Sequence, residues 1–330
     1  MRATPMERET GAVTRSNRSI GLAADGSPDL RTNRRGLPAV GWALAATVLA
    51  SSAAARADAD SLNDSLGPRE VALGEGMRAG ATGAMATTLN PSGLPLTREL
   101  VFEGAFGYRP DDSASLVGIS ACDSTNALPG CFYYHYTGMR PDIGGMELGR
   151  RTHVGGMTLS RPLNQRVHIG AAVKYFDFES DNRAEENASG LNWDVGLTAR
   201  LTEIVNVAAV GYNVAGATST EFPRAAAAGV MMRPVPALAL AFDALWNLDR
   251  EGETGRYGGG GEYFISTQGG KIGYPLRAGA VHDVATGTYV SGGLGIATMK
   301  LGFDVGARKQ VADGEELLVT ASLRVFGPRL

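Results

Sequence analysis

The chain has 330 residues, 20% of them charged, with a formal net charge of −3 that speaks against a nucleic-acid partner. Glycine, at 45 residues, is roughly twice its usual ~7% share, and a mean hydropathy of −0.07 is too polar for a bundle of membrane helices. Two cysteines are too few for a disulfide scaffold or a four-thiolate metal site.

Residues 1–35 carry seven Arg against Glu7, Glu9, Asp25 and Asp29. The Ala-rich run 37–50 follows. It is shorter than the about 20 residues a membrane helix needs and suits the apolar core of a signal peptide. Ala55-Arg56-Ala57 fits the small-x-small cleavage pattern, so 1–57 reads as a basic leader and cleaved signal, with a cut after Ala59 as the alternative. Arg34-Arg35 has the form of a twin-arginine signal, but the residues after it fit Sec export better. An uncleaved anchor is the other reading. The length of the leader leaves room for a start downstream of Met1.

The stretch 58–98 does not alternate. It holds Arg69-Glu70-Val71-Ala72-Leu73-Gly74, a small-residue run over 78–88, and then Asn90-Pro91-Ser92-Gly93-Leu94. A disordered lead, a periplasmic extension and a plug inside a barrel all fit this position. The Gly- and Ala-rich, weakly charged composition favours the plug, an N-terminal hatch.

From residue 99 onward the dominant period is two. Leu100, Phe102, Phe106 and Tyr108 share one face of a segment whose other face carries Glu99, Glu103 and Arg109. Leu191, Trp193, Val195 and Leu197 alternate with Asn192, Asp194, Thr198 and Arg200. Leu301, Phe303 and Val305 alternate with Asp304 and Arg308, and Val319, Leu323 and Val325 with Thr320, Ser322 and Arg324. A soluble sandwich would turn such charges to water. A transmembrane barrel would turn them to its lumen and the apolar face to lipid. Many segments run past the about 5–6 residues of a soluble strand and match the about 9–11 of a tilted membrane strand.

Fourteen strands are expected, at 99–109, 115–122, 131–137, 151–161, 166–178, 189–202, 204–214, 223–233, 236–248, 254–265, 274–283, 287–297, 298–309 and 316–326. The fold class is therefore all-β: a transmembrane antiparallel up-and-down β-barrel occupying 99–330, behind the hatch at 58–98. Long, polar odd-numbered connections and short even-numbered ones place both ends of the barrel segment in the periplasm. Exceptions are 123–130 and 266–273, even-numbered yet long, and 110–114 and 284–286, odd-numbered yet short. Aromatic residues are 7% of the chain, modest for two interfacial girdles.

Candidate lumen groups are Glu99, Glu103, Lys174, Asn192, Asp194, Arg200, Asp243, Arg256, Glu262, Arg277, Asp304, Arg308 and Arg324. One reading is a polar pathway with carboxylate-binding arginines. The other, favoured by the mixed signs, is internal pairing among the wall and the hatch, because buried charges need partners. Cys122 and Cys131 flank the second connection, on the even-numbered side, where a disulfide across the hairpin is expected in an oxidising compartment; free thiols or a metal are the alternatives. His135, His153, His168 and His282 stand singly, and no G-x-S-x-G or H-E-x-x-H motif is present. No catalytic residue, metal site, nucleotide or other cofactor is expected.

In order and motif the chain resembles the FadL-type family of outer-membrane transporters for long-chain fatty acids and other hydrophobic compounds, with a PorV-like branch. The residues that carry the resemblance are Asn90-Pro91-Ser92-Gly93-Leu94, the run Val210-Gly211-Tyr212-Asn213-Val214 and the final strand ending near Phe326. It covers roughly 66–326. The chain departs from the pattern by adding Gly327-Pro328-Arg329-Leu330 after the terminal aromatic residue. The resemblance implies a 14-stranded barrel in a Gram-negative-type outer membrane, with the Asn-Pro motif in a hatch. It also implies passive uptake of a hydrophobic small molecule without bond chemistry, with outer-membrane lipid and the barrel-assembly machinery as partners. Because strand kinks open lateral exits in such barrels, Gly258, Gly259, Gly260 and Gly261 become a candidate gate, their other reading being space for the plug. A non-transporting scaffold of PorV-like type is the alternative function, and a rim hydrolase a third.

Overall fold

The computed structural model describes residues 67–327 apart from 143, 144, 184, 218, 251, 253 and 313. The leader and the cleavage after Ala57 expected from the sequence, with residues 58–66, lie outside the described residues. Fourteen strands are present among those described. They are β1 (Leu100–Arg109), β2 (Ala114–Asp123), β3 (Gly130–Met139), β4 (Arg150–Pro162), β5 (Val167–Ser180), β6 (Ala188–Arg200) and β7 (Val205–Gly216). There follow β8 (Ala225–Val235), β9 (Leu238–Asn247), β10 (Gly255–Thr267), β11 (Ile272–Asp283), β12 (Gly287–Thr298), β13 (Leu301–Gln310) and β14 (Leu317–Phe326). Each pairs antiparallel with its sequence neighbours, and β14 returns to β1, with Val101 opposite Phe326 and Tyr108 opposite Val319. Closure leaves no edge of unpaired backbone groups, the condition a sheet must meet to lie in hydrocarbon.

Burial decides between the two readings of the alternation. On β6, Leu191, Trp193, Val195 and Leu197 are 44–55% exposed, while Asn192, Asp194 and Thr198 are 0–3% exposed. On β13, Leu301 and Phe303 face outward while Asp304 and Arg308 are buried. The molecule is apolar outside and polar inside, the reverse of a soluble sandwich. Its strands of 10–14 residues span the length a tilted membrane strand requires.

Where the strand ends depart from expectation, local chemistry accounts for it. The thirteenth strand starts at Leu301 rather than 298, because the Thr298 hydroxyl accepts hydrogen bonds from the Lys300 and Leu301 N–H groups and turns the chain. The two long even-numbered connections shrink to 124–129 and 268–271 as their strands extend. In the first of these hairpins Cys122 and Cys131 are direct cross-strand partners joined by a disulfide. Thus 236–237 and 299–300 turn at one end, against 140–149 and 217–224 at the other.

Residues 67–98 form short turns: a helix at Pro68–Ala72, a 3-10 turn at Arg78–Gly80, a helix at Met85–Thr88 and a 3-10 helix at Pro91–Leu96. The first packs against β11–β14, the second against β7–β9, the third against β4 and the fourth against β4–β6. Contact with strands on all sides of a closed sheet is possible only from within it. Val71, Leu73, Met77, Leu89 and Leu94 are all about 1% exposed or less, so the apolar core of the protein is the lining of this luminal segment.

Glycines make the close fit possible. A Cβ on Gly258 would strike the Gly74 carbonyl, and one on Gly260 the Leu73 backbone. Gly279 likewise meets Leu73 and Gly74, Gly306 meets Pro68, and Gly170 meets Pro91. Inward-facing glycines on several strands therefore let backbone lie directly on backbone.

Candidate functional site: the barrel lumen

The motif Asn90–Leu94 works as a rivet. The Asn90 carboxamide oxygen accepts from the Ser92 N–H at 3.0 Å and the Ser92 hydroxyl at 2.7 Å, capping the 3-10 helix that starts at Pro91. Its amide donates to the Arg78 carbonyl at 2.8 Å and to Thr198 Oγ1 on β6 at 2.9 Å. The Pro91 carbonyl accepts from Ser160 on β4. Asn90 and Ser92 are fully buried, so every polar atom there must be matched within the protein, and this set of bonds does so. Gly93 lies against the Ala81 carbonyl, where no side chain fits.

Charges join the segment to the wall. Arg69 pairs with Glu262 on β10 at 2.8 Å. Arg78 meets Asp243 on β9 through its backbone N–H at 2.8 Å and its guanidinium at 3.2 Å, and also donates to the Tyr212 hydroxyl at 2.9 Å. That hydroxyl in turn donates to the Leu89 carbonyl at 2.5 Å. Glu75 lies between Arg256, at 2.5 Å, and Arg308. Burial raises the pKa of Glu75, but the two arginines outweigh it and hold the carboxyl down at about 2. Glu70 has the opposite environment. Burial, with the Glu103 carboxylate opposite, pushes it up to about 7.

The wall completes the network. Arg277 bridges Glu262 at 2.7 Å and Asp304 at 2.6 Å, and Asp304 also takes Arg324. Arg256 reaches Asp283 at 2.6 Å, and Arg308 reaches Glu316 at 2.7 Å. Lys174 pairs with Asp194 at 2.7 Å, and Asp194 also accepts from the Asn213 N–H. Asn192 is fully buried beside them. Glu103 faces inward, half-buried, in a small cavity of about 40 Å³ shared with Glu70 and His135. Because β1 begins at Leu100, Glu99 sits before the strand and accepts from its near neighbour Thr97 at 3.1 Å.

The glycine run 258–261 lies in β10 and pairs in unbroken register with both β9 and β11. Its inward members, Gly258 and Gly260, are where the Leu73–Gly74 backbone rests. At the end with the longer connections, residues 221–223 fold inward. Phe222 is 3% exposed and stacks on Phe176 at 4.1 Å, and Glu221 pairs with Arg150 at 2.5 Å. At the opposite end a cavity of about 930 Å³ lies beneath the segment, lined among others by Leu96, His168, Arg200 and Met231.

Sequence reading named the wall charges but not their partners Arg69, Glu75 and Arg78. The available signal was faint: isolated charges within a small-residue stretch, each needing an opposite charge on a strand.

The sequence matches no known protein-family profile and no curated protein. The structure, however, is similar to several solved ones. A monoaromatic hydrocarbon channel named CymD superposes with a TM-score of 0.58 at 12% identity, over 80% of this chain and 97% of that one. The toluene transporter TodX of Pseudomonas putida gives 0.57 at 12% identity, over 78% and 96%. A FadL homologue from Pseudomonas aeruginosa gives 0.58 at 11% identity, over 79% and 97%. At such identities the likeness speaks for the fold, and the chain has the fold of the FadL-type channels: a closed 14-stranded barrel.

Proposed function

We propose that the protein is an outer-membrane channel for the passive uptake of hydrophobic compounds, long-chain fatty acids among them. The observation that carries this reading is the luminal segment itself. A barrel whose outer face is apolar holds, inside a polar wall, a folded plug with its own apolar core. On this reading the plug closes the lumen to bulk water and apolar molecules pass beside it. The fold shared with hydrocarbon channels supports it. On this reading residues 58–98 are the hatch, the short turns face the periplasm, and residues 221–223 cover the outer mouth. The glycine run is a seat for the hatch rather than a lateral gate.

The scaffold reading keeps one observation in its favour: the dense pairing of luminal charges, which also suits a permanently filled barrel. Ligand binding separates the two. Purified in a neutral detergent, a channel binds labelled oleate or toluene saturably. A barrel that binds neither, but co-purifies with a stoichiometric envelope protein, is a scaffold.

A further inference from the structure

The disulfide between Cys122 and Cys131 lies inside the barrel. Both cysteines take inward positions on β2 and β3, while Phe132, next along β3, is exposed on the outer face. Each cysteine is 1% exposed. The plug covers them. Ala86, from the helix Met85–Thr88, and Leu94, from the 3-10 helix Pro91–Leu96, pack in one cluster with the two cysteines, Val101 and Phe326.

The same cysteines stand on the row where the wall closes. Cys131 is opposite Cys122, Cys122 opposite Val101, and Val101 opposite Phe326, so one line of inward side chains runs from β3 through β2 and β1 to β14. The cysteines are nine residues apart in sequence, so the β2–β3 hairpin alone brings them together at small entropic cost. Phe326 joins the row only when β14 meets β1, and Ala86 and Leu94 only when the plug is seated. Thiol–disulfide exchange needs a thiolate to reach a sulfur. In the finished molecule the sheet closes the outer side of this pair and the plug closes the inner side.

We propose that Cys122 and Cys131 are oxidised on the unassembled chain, by a dithiol oxidase of the exporting compartment, and that plug docking then seals the bond. One cysteine thiolate attacks the oxidase disulfide to give a mixed disulfide, and the other cysteine thiolate displaces the oxidase sulfur. The chain gives up two protons and two electrons, and the oxidase is left as the dithiol. The bond fixes β2 against β3 before the barrel closes, where a slip of one residue would turn each strand's inward face to lipid. The compartment rests on the outer-membrane reading; the seal rests on the geometry. A barrel that takes up no oleate still seals its disulfide, so failure of the uptake reading leaves the result unchanged.

The test is reduction of the intact protein, folded in a neutral maltoside detergent, by tris(carboxyethyl)phosphine. Freed thiols are read after unfolding as a gel shift with a polyethylene glycol maleimide, and heat-dependent gel migration checks that each variant is folded. The native bond is reduced about a hundredfold more slowly than that of the heat-unfolded protein, because attack waits for the plug to open. Leu94→Ala thins the cover and speeds native reduction about tenfold. Gly93→Val, which lifts the turn carrying Leu94, speeds it further. Should Gly93→Val fail to fold, Leu94→Ala decides alone. A native bond reduced as fast as the unfolded one, or a rate that Leu94→Ala leaves unchanged, overturns the seal. The order is tested by refolding the chain with both thiols reduced and then adding diamide. A chain that stays reduced, or that does not assemble, supports oxidation first. A reduced chain that assembles and is then oxidised as fast as the unfolded chain overturns it.

Discussion

Glu70 is the group in which burial and charge oppose each other most plainly. Its carboxyl is buried in the plug, faces Glu103 across a small cavity and has its pKa pushed from the ordinary 4.5 to about 7. The docked plug therefore binds this proton more tightly than a released one does. The stability this lends is fully present below pH 4.5 and is lost as the pH rises toward 7. Glu75 works the other way, but its window lies between 4.5 and about 2, below any working pH. Limited proteolysis within 67–98 should accelerate from pH 5 to pH 8 in the wild type and stay flat in Glu70→Gln. A wild-type rate that does not change over that range contradicts the assignment. Nothing in the sequence marks Glu70 out, because its partner Glu103 lies on another element. By contrast, Asn90 and Pro91 stand out through their resemblance to a family motif. Only the structure shows that the side chain of Asn90 ties three pieces of chain together.

At the scale of the element, the strands were legible; the N-terminal segment was legible by its position and composition, but its pairings with the wall were not. Period-two alternation with a decided polar face requires nothing beyond nearest neighbours, so all fourteen strands could be placed within three residues of their observed ends. The errors arose where a side chain redirects the backbone, as Thr298 does. The plug depends on pairings such as Arg69 with Glu262 and Arg308 with Glu75, across hundreds of residues, and no local pattern encodes them. The run Gly258–Gly261 shows the difference. In sequence it reads equally as a gate or as room for the plug. The inward pair carries the plug, while Gly261 points outward against Leu240. Gly260→Val should displace the plug and raise proteolysis within 67–98. Gly261→Val should leave that rate unchanged. Equal effects of the two, with the plug still seated, would restore the gate.

The molecule as a whole is a barrel turned inside out around a small folded core. The wall supplies charges, the plug supplies countercharges, and the apolar residues are divided between lipid and the plug interior. Burying so many ions is tolerable only because nearly all are matched, and breaking a buried pair typically costs about 3–5 kcal/mol. This cost gives the filled state its stability. Uptake of labelled oleate by cells lacking their own transporter, with and without this protein assembled in the outer membrane, decides whether the barrel is a channel. Saturable uptake that rises with the assembled barrel is the predicted result. A correctly assembled barrel that leaves oleate uptake at the background rate would contradict it.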